Sequence, residues 1–213
     1  MSVITIRGHL GSGAPEIGKM VADRLKADYV DREIIAQVAE LIRWPHQGVA
    51  EKEKPPGTLG ERVREALSHI RTNVAPYIPA REIPLDDATY LWGLESVIKE
   101  LAARSSVVIR GRGSQFILKD YPGALHVLVV SPLDLRVKHL MQTQKLDEEM
   151  VKKEIDRSDT SRREFTRRYF KAELEDPLYY DLVINTRYLT FEDAASVVLN
   201  TLPFKERTGL QGT

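Results

Sequence analysis

The sequence predicts an α/β domain in which a parallel β-sheet is flanked by helices. Short apolar runs typical of buried strands alternate with segments whose apolar residues recur every three or four positions, as in amphipathic helices. The first apolar run, at residues 3–7, leads through three closely spaced glycines directly into a helix. Because 213 residues suffice for one core with an insertion, we expect a single domain over residues 1–213.

The first half of the chain is predicted to hold one strand and three helices. After the strand, Pro15 suits the first turn of a helix, because the N–H that proline lacks has no partner there in any case. Asp31 is predicted to open a second helix. Residues 43–60 combine proline, glycine and charge, which indicates an exposed loop, and a third amphipathic helix follows them.

The second half of the chain alternates more regularly. Its near-continuous apolar runs are typical of strands buried on both faces of a parallel sheet. Thr190 and Asp193 resemble a capping box before the last helix, with aspartate where glutamate is usual, and the last ten or so residues are expected to be frayed. The predicted elements are, in order, a helix at 87–104, strands at 106–111 and 126–130, a helix capped by Ser131 and Pro132, a charged helix from about 147 to 171, a strand at 181–186 and the final helix.

The composition excludes several classes of function. The 31 basic and 31 acidic residues give zero formal net charge, so a general polyanion-binding role, such as nucleic-acid binding, has no support. The absence of cysteine excludes disulfides and cysteine-ligated zinc. No apolar run approaches membrane-spanning length, and the amino terminus enters a strand without a signal-peptide pattern. We therefore expect a soluble, cytoplasmic protein without a nucleic-acid or membrane partner.

The glycine-rich turn after the first strand has the spacing of a phosphate-binding loop. Gly8 and Gly13 match the glycines of the pattern G-x-x-x-x-G-K-[ST], whose backbone N–H groups bind phosphate at the start of a helix. Ala14 and Pro15 occupy the lysine and hydroxyl positions, so the usual cation and the usual Mg²⁺ ligand are both missing. The turn therefore either binds an anion through its backbone or binds nothing. The predicted phosphate-binding residues are Gly8, Gly11, Ser12, Gly13 and Ala14.

A second register would place a lysine in the loop. In the segment Gly13–Met20, Lys19 follows a glycine at the right spacing. We reject this register because it begins too far beyond the strand, places Lys19 inside the helix and lacks the hydroxyl residue. His9 or Arg7 is then the remaining source of charge beside the loop, although a strand arginine is more often solvated.

Four groups of residues fall at predicted strand ends. In open parallel sheets, ligands bind beyond the carboxyl ends of the strands, so one shared site is expected there. The four groups are Gly8–Gly13, Gly111–Gly113, Ser131 and Asn185–Thr186.

Short motifs along the chain together resemble those of one family. In their order and combination they are similar to the motifs of the cytidylate kinase-like family, a branch of the P-loop nucleoside monophosphate kinases. Pro15 departs from the family, whose loop often has a basic residue at this position. The matching segments are Gly11–Gly13, Glu16–Ile17, Tyr29–Ile34, Val108–Gly113 and Tyr180–Thr186, with Ser131–Arg136 and Asp159–Arg162 where these kinases carry lid-flanking and lid arginines.

The resemblance implies a P-loop NTP hydrolase fold of the nucleotide kinase type, with a helical acceptor-binding insertion and a lid. The insertion would comprise residues 43–86 and the lid residues 143–172. The core would then comprise residues 1–42, 87–142 and 173–202.

The resemblance also implies an activity. ATP, with Mg²⁺, would donate its γ-phosphate to a nucleoside monophosphate or a similar small phosphate acceptor. The alternative is a non-catalytic nucleotide-binding or regulatory protein on the same fold. The alternative is favoured by Ala14 and Pro15 and by the absence of an aspartate after the strand at 106–111. No residue is predicted to be a metal ligand.

Arginines are the expected functional side chains, because phosphoryl transfer needs several cations around the transferred group. The resemblance implies that Arg112 binds the acceptor phosphate, and that Arg136 and Arg162 act in catalysis. Each has an ordinary explanation as well, which is an ion pair with a surface carboxylate or a solvated, salt-bridged helix. Asp31 either contacts the acceptor or caps its own helix.

Asn185 and Thr186 are predicted to border the base of the donor nucleotide, since they follow the last strand. A strand-end turn explains both residues nearly as well.

Overall fold

The sheet at the centre of this computed structural model has five strands: β1 (Val3–Gly8), β2 (Asp28–Val30), β3 (Val107–Arg110), β4 (Leu125–Val130) and β5 (Leu182–Asn185). The structure describes residues 1–31 and 87–210. All strands are parallel and their order is β2-β3-β1-β4-β5. The first strand therefore lies in the middle, and the predicted parallel α/β fold is confirmed.

The helices are α1 (Ala14–Leu25), α2 (Asp87–Arg104), α3 (Ser114–Ile117), α4 (Leu133–Gln144), α5 (Glu148–Phe170) and α6 (Phe191–Leu210), with a 3₁₀ turn at Pro177–Tyr179. One face of the sheet packs against α1 and α6, and the other packs against α2 and α3. Helices α4 and α5 pack on each other through Val137, Leu140, Val151 and Ile155. Both faces are thus covered, and an edge remains open at the carboxyl ends of the strands.

Strand β2 was not predicted from the sequence. Strand β2 has only three residues, and its side chains alternate too briefly to show a pattern. It forms because Tyr29 pairs in register with Val108 of the buried β3. The helix predicted to begin at Asp31 and the insertion predicted at 43–86 lie outside the described residues.

The ends of the later helices test the capping predictions. The capping box is confirmed: the Asp193 N–H donates to Thr190 Oγ1 at 3.1 Å, and Thr190 Oγ1 donates to Asp193 Oδ2 at 2.7 Å. The cap predicted for α4 is wrong, because Pro132 occupies the N-cap position and no side chain bonds to the helix start. The fraying expected of the last ten or so residues is not seen up to Leu210, where α6 ends, and residues 211–213 lie outside the described residues.

Among residues 1–31 and 87–210, no helix combines the length and the apolar character that crossing a bilayer requires.

Candidate functional site

The parallel sheet brings the loops that follow β1, β3 and β5 to one edge. Gly8 pairs with Val129 of β4, and Ile6 pairs with Arg110 at the end of β3. Because β1 is the central strand, the glycine loop at residues 8–13 lies between the loops of its neighbours. The predicted groups at the strand ends are therefore close in space.

A cleft opens at this edge, between the ends of β1 and β3 and the helix α5. Four arginines line it, and arginine is the side chain best suited to phosphate because its planar guanidinium binds two oxygens at once. The lining residues are Arg7, Gly8, Arg110, Gly111, Arg112, Gly113, Gln115, Ser161, Arg162, Phe165, Thr166 and Leu174.

Buried polar atoms without a partner concentrate at the same edge. In folded proteins such atoms are nearly always bonded, so a concentration of them at one edge is consistent with a site that takes water or a polar ligand. Every such side-chain atom among the described residues belongs to the ends of β1, β2 and β3 or to residues that follow them. The atoms are Arg7 Nε, His9 Nδ1, Ser12 Oγ, Glu16 Oε2, Tyr29 Oη, Arg110 Nε, Ser114 Oγ and Gln115 Oε1, and His9 Nε2 also makes no hydrogen bond, although it lies 3.5 Å from Glu175 Oε1.

The first glycine loop has no room for larger residues at its ends. A Cβ atom on Gly8 would lie 2.5 Å from Ser12 Oγ and 2.6 Å from the Ala14 Cβ. Gly13 has a φ of +88°, and a Cβ there would lie 2.2 Å from the ring of Phe191. The loop thus needs glycine for close approach as well as for its backbone conformation.

No lysine stands at the end of this loop. Helix α1 begins at Ala14, which is buried, and Pro15 lies in its first turn. Lys19 lies within α1, with its ammonium 6.0 Å from the centre of the Tyr29 ring. The rejected register is therefore incompatible with the helix, and any cation at the loop comes from elsewhere in the chain.

A buried ion pair holds helices α4 and α5 against the loop. Arg136 of α4 pairs with Asp159 of α5, and both side chains are less than a tenth exposed. Arg136 Nε also donates to the Leu10 carbonyl at 2.8 Å, and the Leu10 N–H donates to Asp159 Oδ1 at 3.4 Å. The Asp159 carboxylate therefore occupies a loop N–H of the kind that would bind phosphate.

Arg162 reaches the loop from the cleft side. Its Nη1 donates to the Gly8 carbonyl at 3.1 Å and lies 3.9 Å from Asp159 Oδ1. The two arginines predicted to be catalytic are thus placed differently. Arg162 lines the cleft, whereas Arg136 is buried under the loop with its guanidinium engaged by Asp159 and Leu10.

The residues after β5 bind the loop on its other side. Thr186 Oγ1 donates to the Ser12 carbonyl at 3.1 Å and lies 3.3 Å from the Val130 carbonyl. Asn185 is exposed, and its Oδ1 accepts from the Arg187 N–H at 3.0 Å. Thr186 therefore fixes the loop backbone, and Asn185 forms the turn that was its alternative explanation.

The second glycine loop, after β3, has three consecutive residues with positive φ: Gly111 at 83°, Arg112 at 54° and Gly113 at 72°. Arginine adopts this left-handed conformation at a cost, so the neighbours must impose it. The Arg112 Nη1 donates to Tyr90 Oη at 3.3 Å, and its guanidinium carbon lies 5.9 Å from the centre of the Phe165 ring. Arg112 is thereby positioned at the cleft.

Asp31, the other residue predicted on the acceptor side, lies at the end of β2. Its carboxylate is 3.7 Å from the Arg110 guanidinium. This pair places a negative charge beside the cleft arginines, while the helix that Asp31 was expected to cap lies outside the described residues.

Several site residues were missed by the sequence analysis. Arg110 and Gln115 line the cleft, and Glu175 contacts both His9 at 3.5 Å and Arg163 at 3.0 Å. Burial lowers the pKa of His9, which favours a neutral ring. Arg110 had a signal, because it ends a predicted strand at the site edge. Glu175 had none, since it lies in an irregular segment.

Tyr180 and Asp181, just before the last strand, support the cleft without lining it. Tyr180 Oη donates to the Leu174 carbonyl at 2.6 Å and accepts from Gln115 Nε2 at 3.1 Å. Burial raises the pKa of Tyr180 to about 12, so its hydroxyl keeps its proton. Asp181 accepts from the His126 N–H at 2.8 Å and ties β4 to β5.

The donor set does not fit a metal ion held by the protein alone. Within residues 1–31 and 87–210 no three histidine, aspartate or glutamate side chains converge as ligands would. Pro15 replaces the loop hydroxyl that binds Mg²⁺ in phosphate-binding loops.

Comparisons with known proteins agree with the motifs. The model of the cytidylate kinase-like family matches residues 3–188. A cytidylate kinase from Sulfolobus acidocaldarius is 33% identical over 109 residues, which is 51% of this chain and 59% of that protein. A cytidylate kinase from Staphylothermus marinus is 25% identical over 199 residues, covering 93% of this chain and 94% of that protein.

A solved structure supports the fold. An uncharacterized protein from Eubacterium ventriosum superposes with a TM-score of 0.69 at 17% identity, covering 95% of this chain and 99% of that one. At this identity the likeness concerns the fold alone.

Proposed function

Because the chain belongs to the cytidylate kinase-like family, we propose that it is a phosphotransferase that uses ATP to phosphorylate a nucleoside monophosphate or a similar small acceptor. The γ-phosphoryl group would leave ADP and form a new bond to an oxygen of the acceptor. The observation that carries the proposal is the cleft between the two glycine loops, which four arginines line and where three buried polar atoms, Arg7 Nε, Arg110 Nε and Gln115 Oε1, have no hydrogen-bond partner among the described residues.

The arrangement of charge suits phosphoryl transfer. This reaction needs little covalent chemistry from a protein, and its catalysis consists of positioning and neutralising the phosphoryl oxygens. Arg112 would bind the acceptor phosphate, because it belongs to the second glycine loop and lines the cleft. Arg162 would bind the transferred group, because it lies against Gly8 at the start of the first loop.

Arg136 would act by positioning the first loop. Its guanidinium connects the Leu10 carbonyl to Asp159, so it fixes the backbone whose N–H groups would face the donor phosphates. Mg²⁺, where ATP brings it, would neutralise phosphate charge. The segment at 143–172 remains our proposed lid and the segment at 43–86 our proposed acceptor-binding insertion. We also retain a cytoplasmic location as a proposal.

A coupled assay of ADP release tests the function. Purified protein is mixed with ATP, Mg²⁺ and each nucleoside monophosphate in turn, and turnover above the rate without acceptor is the expected result. The Arg112→Gln variant should raise the KM for the acceptor about ten- to hundredfold, because one charge-assisted phosphate contact contributes about 1.5–3 kcal/mol. Arg24→Gln, on the distant surface of α1, serves as the matched control. No turnover by folded protein with any acceptor would refute the enzyme proposal.

A specific observation favours a second candidate, a nucleotide-binding protein without catalysis. The buried Ala14 and the adjacent Pro15 supply neither cation nor hydroxyl, and Asp159 already holds the Leu10 N–H. This candidate predicts that ATP raises the melting temperature while no acceptor gives turnover. Ala14→Lys with Pro15→Ser should then change ATP binding. If the double variant matched the wild type in both the binding assay and the turnover assay, the loop would not be the phosphate site in either candidate function.

A further inference from the structure

We propose that Arg7 forms the floor of an anion site that binds the phosphoryl group of the acceptor. No predicted role covers this residue beyond a general source of charge near the loop. The identification of the anion as the acceptor's phosphate rests on the proposed function, whereas the binding of a phosphoryl group by Arg7 rests on the geometry.

The position of Arg7 directs it to the cleft. Strand side chains alternate between the two faces of a sheet, and Ile4 and Ile6 belong to the core beneath α1 and α6. Arg7 therefore faces the opposite side, where it lines the cleft with Arg112 and Arg162. It lies on the central strand, immediately before the first glycine of the loop.

The guanidinium of Arg7 has no ionic partner among the described residues. Its Nε atom is buried and makes no hydrogen bond to the described residues, and no described carboxylate forms an ion pair with it. The groups that favour its charge through space are Tyr180, Glu175 and Asp159, and both carboxylates already pair with other arginines. The side chain is half-buried, and a partly desolvated cation without an ionic partner among the described residues suits an anionic ligand.

The surrounding charge favours an anion of more than one charge. Burial lowers the pKa of Arg7 to about 10, so the guanidinium is still protonated at neutral pH, and Arg110, which pairs with Asp31 at 3.7 Å, adds a repulsive charge beside it. Like charges are brought together at low cost only where an anion neutralises them. A phosphoryl group, with up to two negative charges and three acceptor oxygens, meets that requirement.

The acceptor is favoured over the donor because of the neighbours of Arg7. The cleft that it lines includes Gly111, Arg112, Gly113 and Gln115 from the loop after β3. Ala14, at the end of the donor loop, does not line that cleft and is buried against Gly8 instead. Arg7 thus faces the second loop more than the first.

The test compares the wild type with Arg7→Met, which keeps a similar length and removes the charge. Thermal unfolding is followed with CMP as the acceptor probe, with cytidine as the probe without phosphate, and with ADP as the donor probe. We expect the ligand-free variant to be about as stable as the wild type, because the half-buried charge that is removed has no ionic partner among the described residues. Its affinity for CMP should fall about ten- to hundredfold, with cytidine and ADP binding within twofold of the wild type. Arg24→Met should leave all four measurements unchanged.

Three outcomes would overturn the proposal: equal CMP affinity in wild type and Arg7→Met, a loss confined to ADP, or a wild type that CMP does not stabilise. If Arg7→Met fails to fold, Arg7→Lys replaces it. Lysine keeps the charge without the planar fork, so an intermediate loss of CMP affinity is expected and no loss counts against the site. CMP binding together with no turnover of any acceptor would refute the proposed function and leave the Arg7 site standing.

Discussion

The two glycine loops of the cleft share a backbone design but differ in where their charge comes from. Each ends in a glycine of positive φ covered by an aromatic ring, Phe191 over Gly13 and Phe170 over Gly113. The loop after β3 carries its own arginine, Arg112, whereas the loop after β1 carries no lysine. At the first loop, the positive charge therefore comes from the neighbouring elements and not from the loop itself.

The first loop is therefore held by side chains that come from far along the chain. The Leu10 backbone bonds to Arg136 of α4 and to Asp159 of α5. The Gly8 carbonyl accepts from Arg162 of α5, and the Ser12 carbonyl accepts from Thr186 in the turn after β5. Such contacts fix the loop without a ligand. The second loop combines its own glycines with side-chain contacts from distant residues, which are the Phe170 ring over Gly113 and the contacts of Arg112 with Tyr90 and Phe165.

Removing the Asp159 carboxylate should have the largest effect and should act on the first loop. Asp159→Ala leaves Arg136 buried without its partner, and breaking a buried pair in this way costs about 3–5 kcal/mol of unfolding free energy. Urea denaturation measures the loss. Asp156→Ala, an exposed aspartate one turn earlier on α5, is the matched control and should change stability by less than about 0.5 kcal/mol.

A double variant separates the effect of losing the ion pair from the effect of losing the contact between α4 and α5. Replacing both residues, as Asp159→Leu with Arg136→Met, should recover most of the stability, because no unpaired charge remains. Equal destabilisation by the single and the double variants would show that the buried pair is not what holds α4 and α5 to the loop.

Alanine at the two covered glycines should have the next largest effect. Gly13→Ala and Gly113→Ala each force a non-glycine residue to positive φ and bring its Cβ to 2.2 Å or less from an aromatic ring. Gly123→Ala is the matched control, because its φ is +76° but its nearest neighbour would be 3.6 Å away. We expect about 1–2 kcal/mol for the control, from the backbone alone, and a clearly larger loss for the other two.

Thermal unfolding of the three glycine variants gives the comparison directly. If Gly123→Ala lost as much stability as the others, the aromatic rings would be irrelevant to the loops. If Gly13→Ala lost more than Gly113→Ala, the first loop would be the more rigid of the two.

The smallest expected effect is the pH dependence that His9 gives the first loop. Burial lowers the pKa of His9 below the ordinary 6.5, with Asp159 and Glu175 opposing this shift and Arg136 and Arg7 adding to it. In the unfolded chain the ring takes up a proton near pH 6.5, which the folded protein resists. The contribution to stability is therefore complete above about pH 6.5 and is lost as the pH falls through the folded pKa.

Unfolding free energies of the wild type and His9→Gln, measured from pH 5 to 8, isolate this contribution. The wild type should lose more stability than the variant on acidification. His126 also has a pKa lowered by burial and is present in both proteins, so its contribution cancels in the difference. Parallel profiles would mean that His9 titrates alike in the folded and unfolded chains.

Much of the fold followed from local patterns. Four of the five strands have apolar runs long enough to recognise, and the capping box at Thr190 and Asp193 marks the start of α6 within one residue. Strand β2 was missed because three residues show no periodicity and its pairing partner, β3, lies about 80 residues away. The site edge was predictable because parallel strands share a direction.

The roles of individual arginines were less predictable, because the spacing of residues along the sequence does not show which distant residues come into contact. The motif around Asp159 and Arg162 indicated charge on a helix, but the pairing of Asp159 with Arg136 depends on how α4 and α5 pack. Arg7 was visible only as a strand arginine that is usually solvated. Its half-buried position, with no ionic partner among the described residues, depends on the tertiary placement of β3, α5 and the segment around Glu175.

The sequence by itself determined the parallel sheet, the two glycine loops and the missing lysine, because periodicity, glycine spacing and residue identity are local properties. Only the tertiary structure decided which cations meet the loops. Arg162 contacts Gly8 across 154 positions, and Arg136 contacts Leu10 across 126. The physical reason is that charge interactions act through space, so the first loop's cations are chosen by the packing of helices and strands around it.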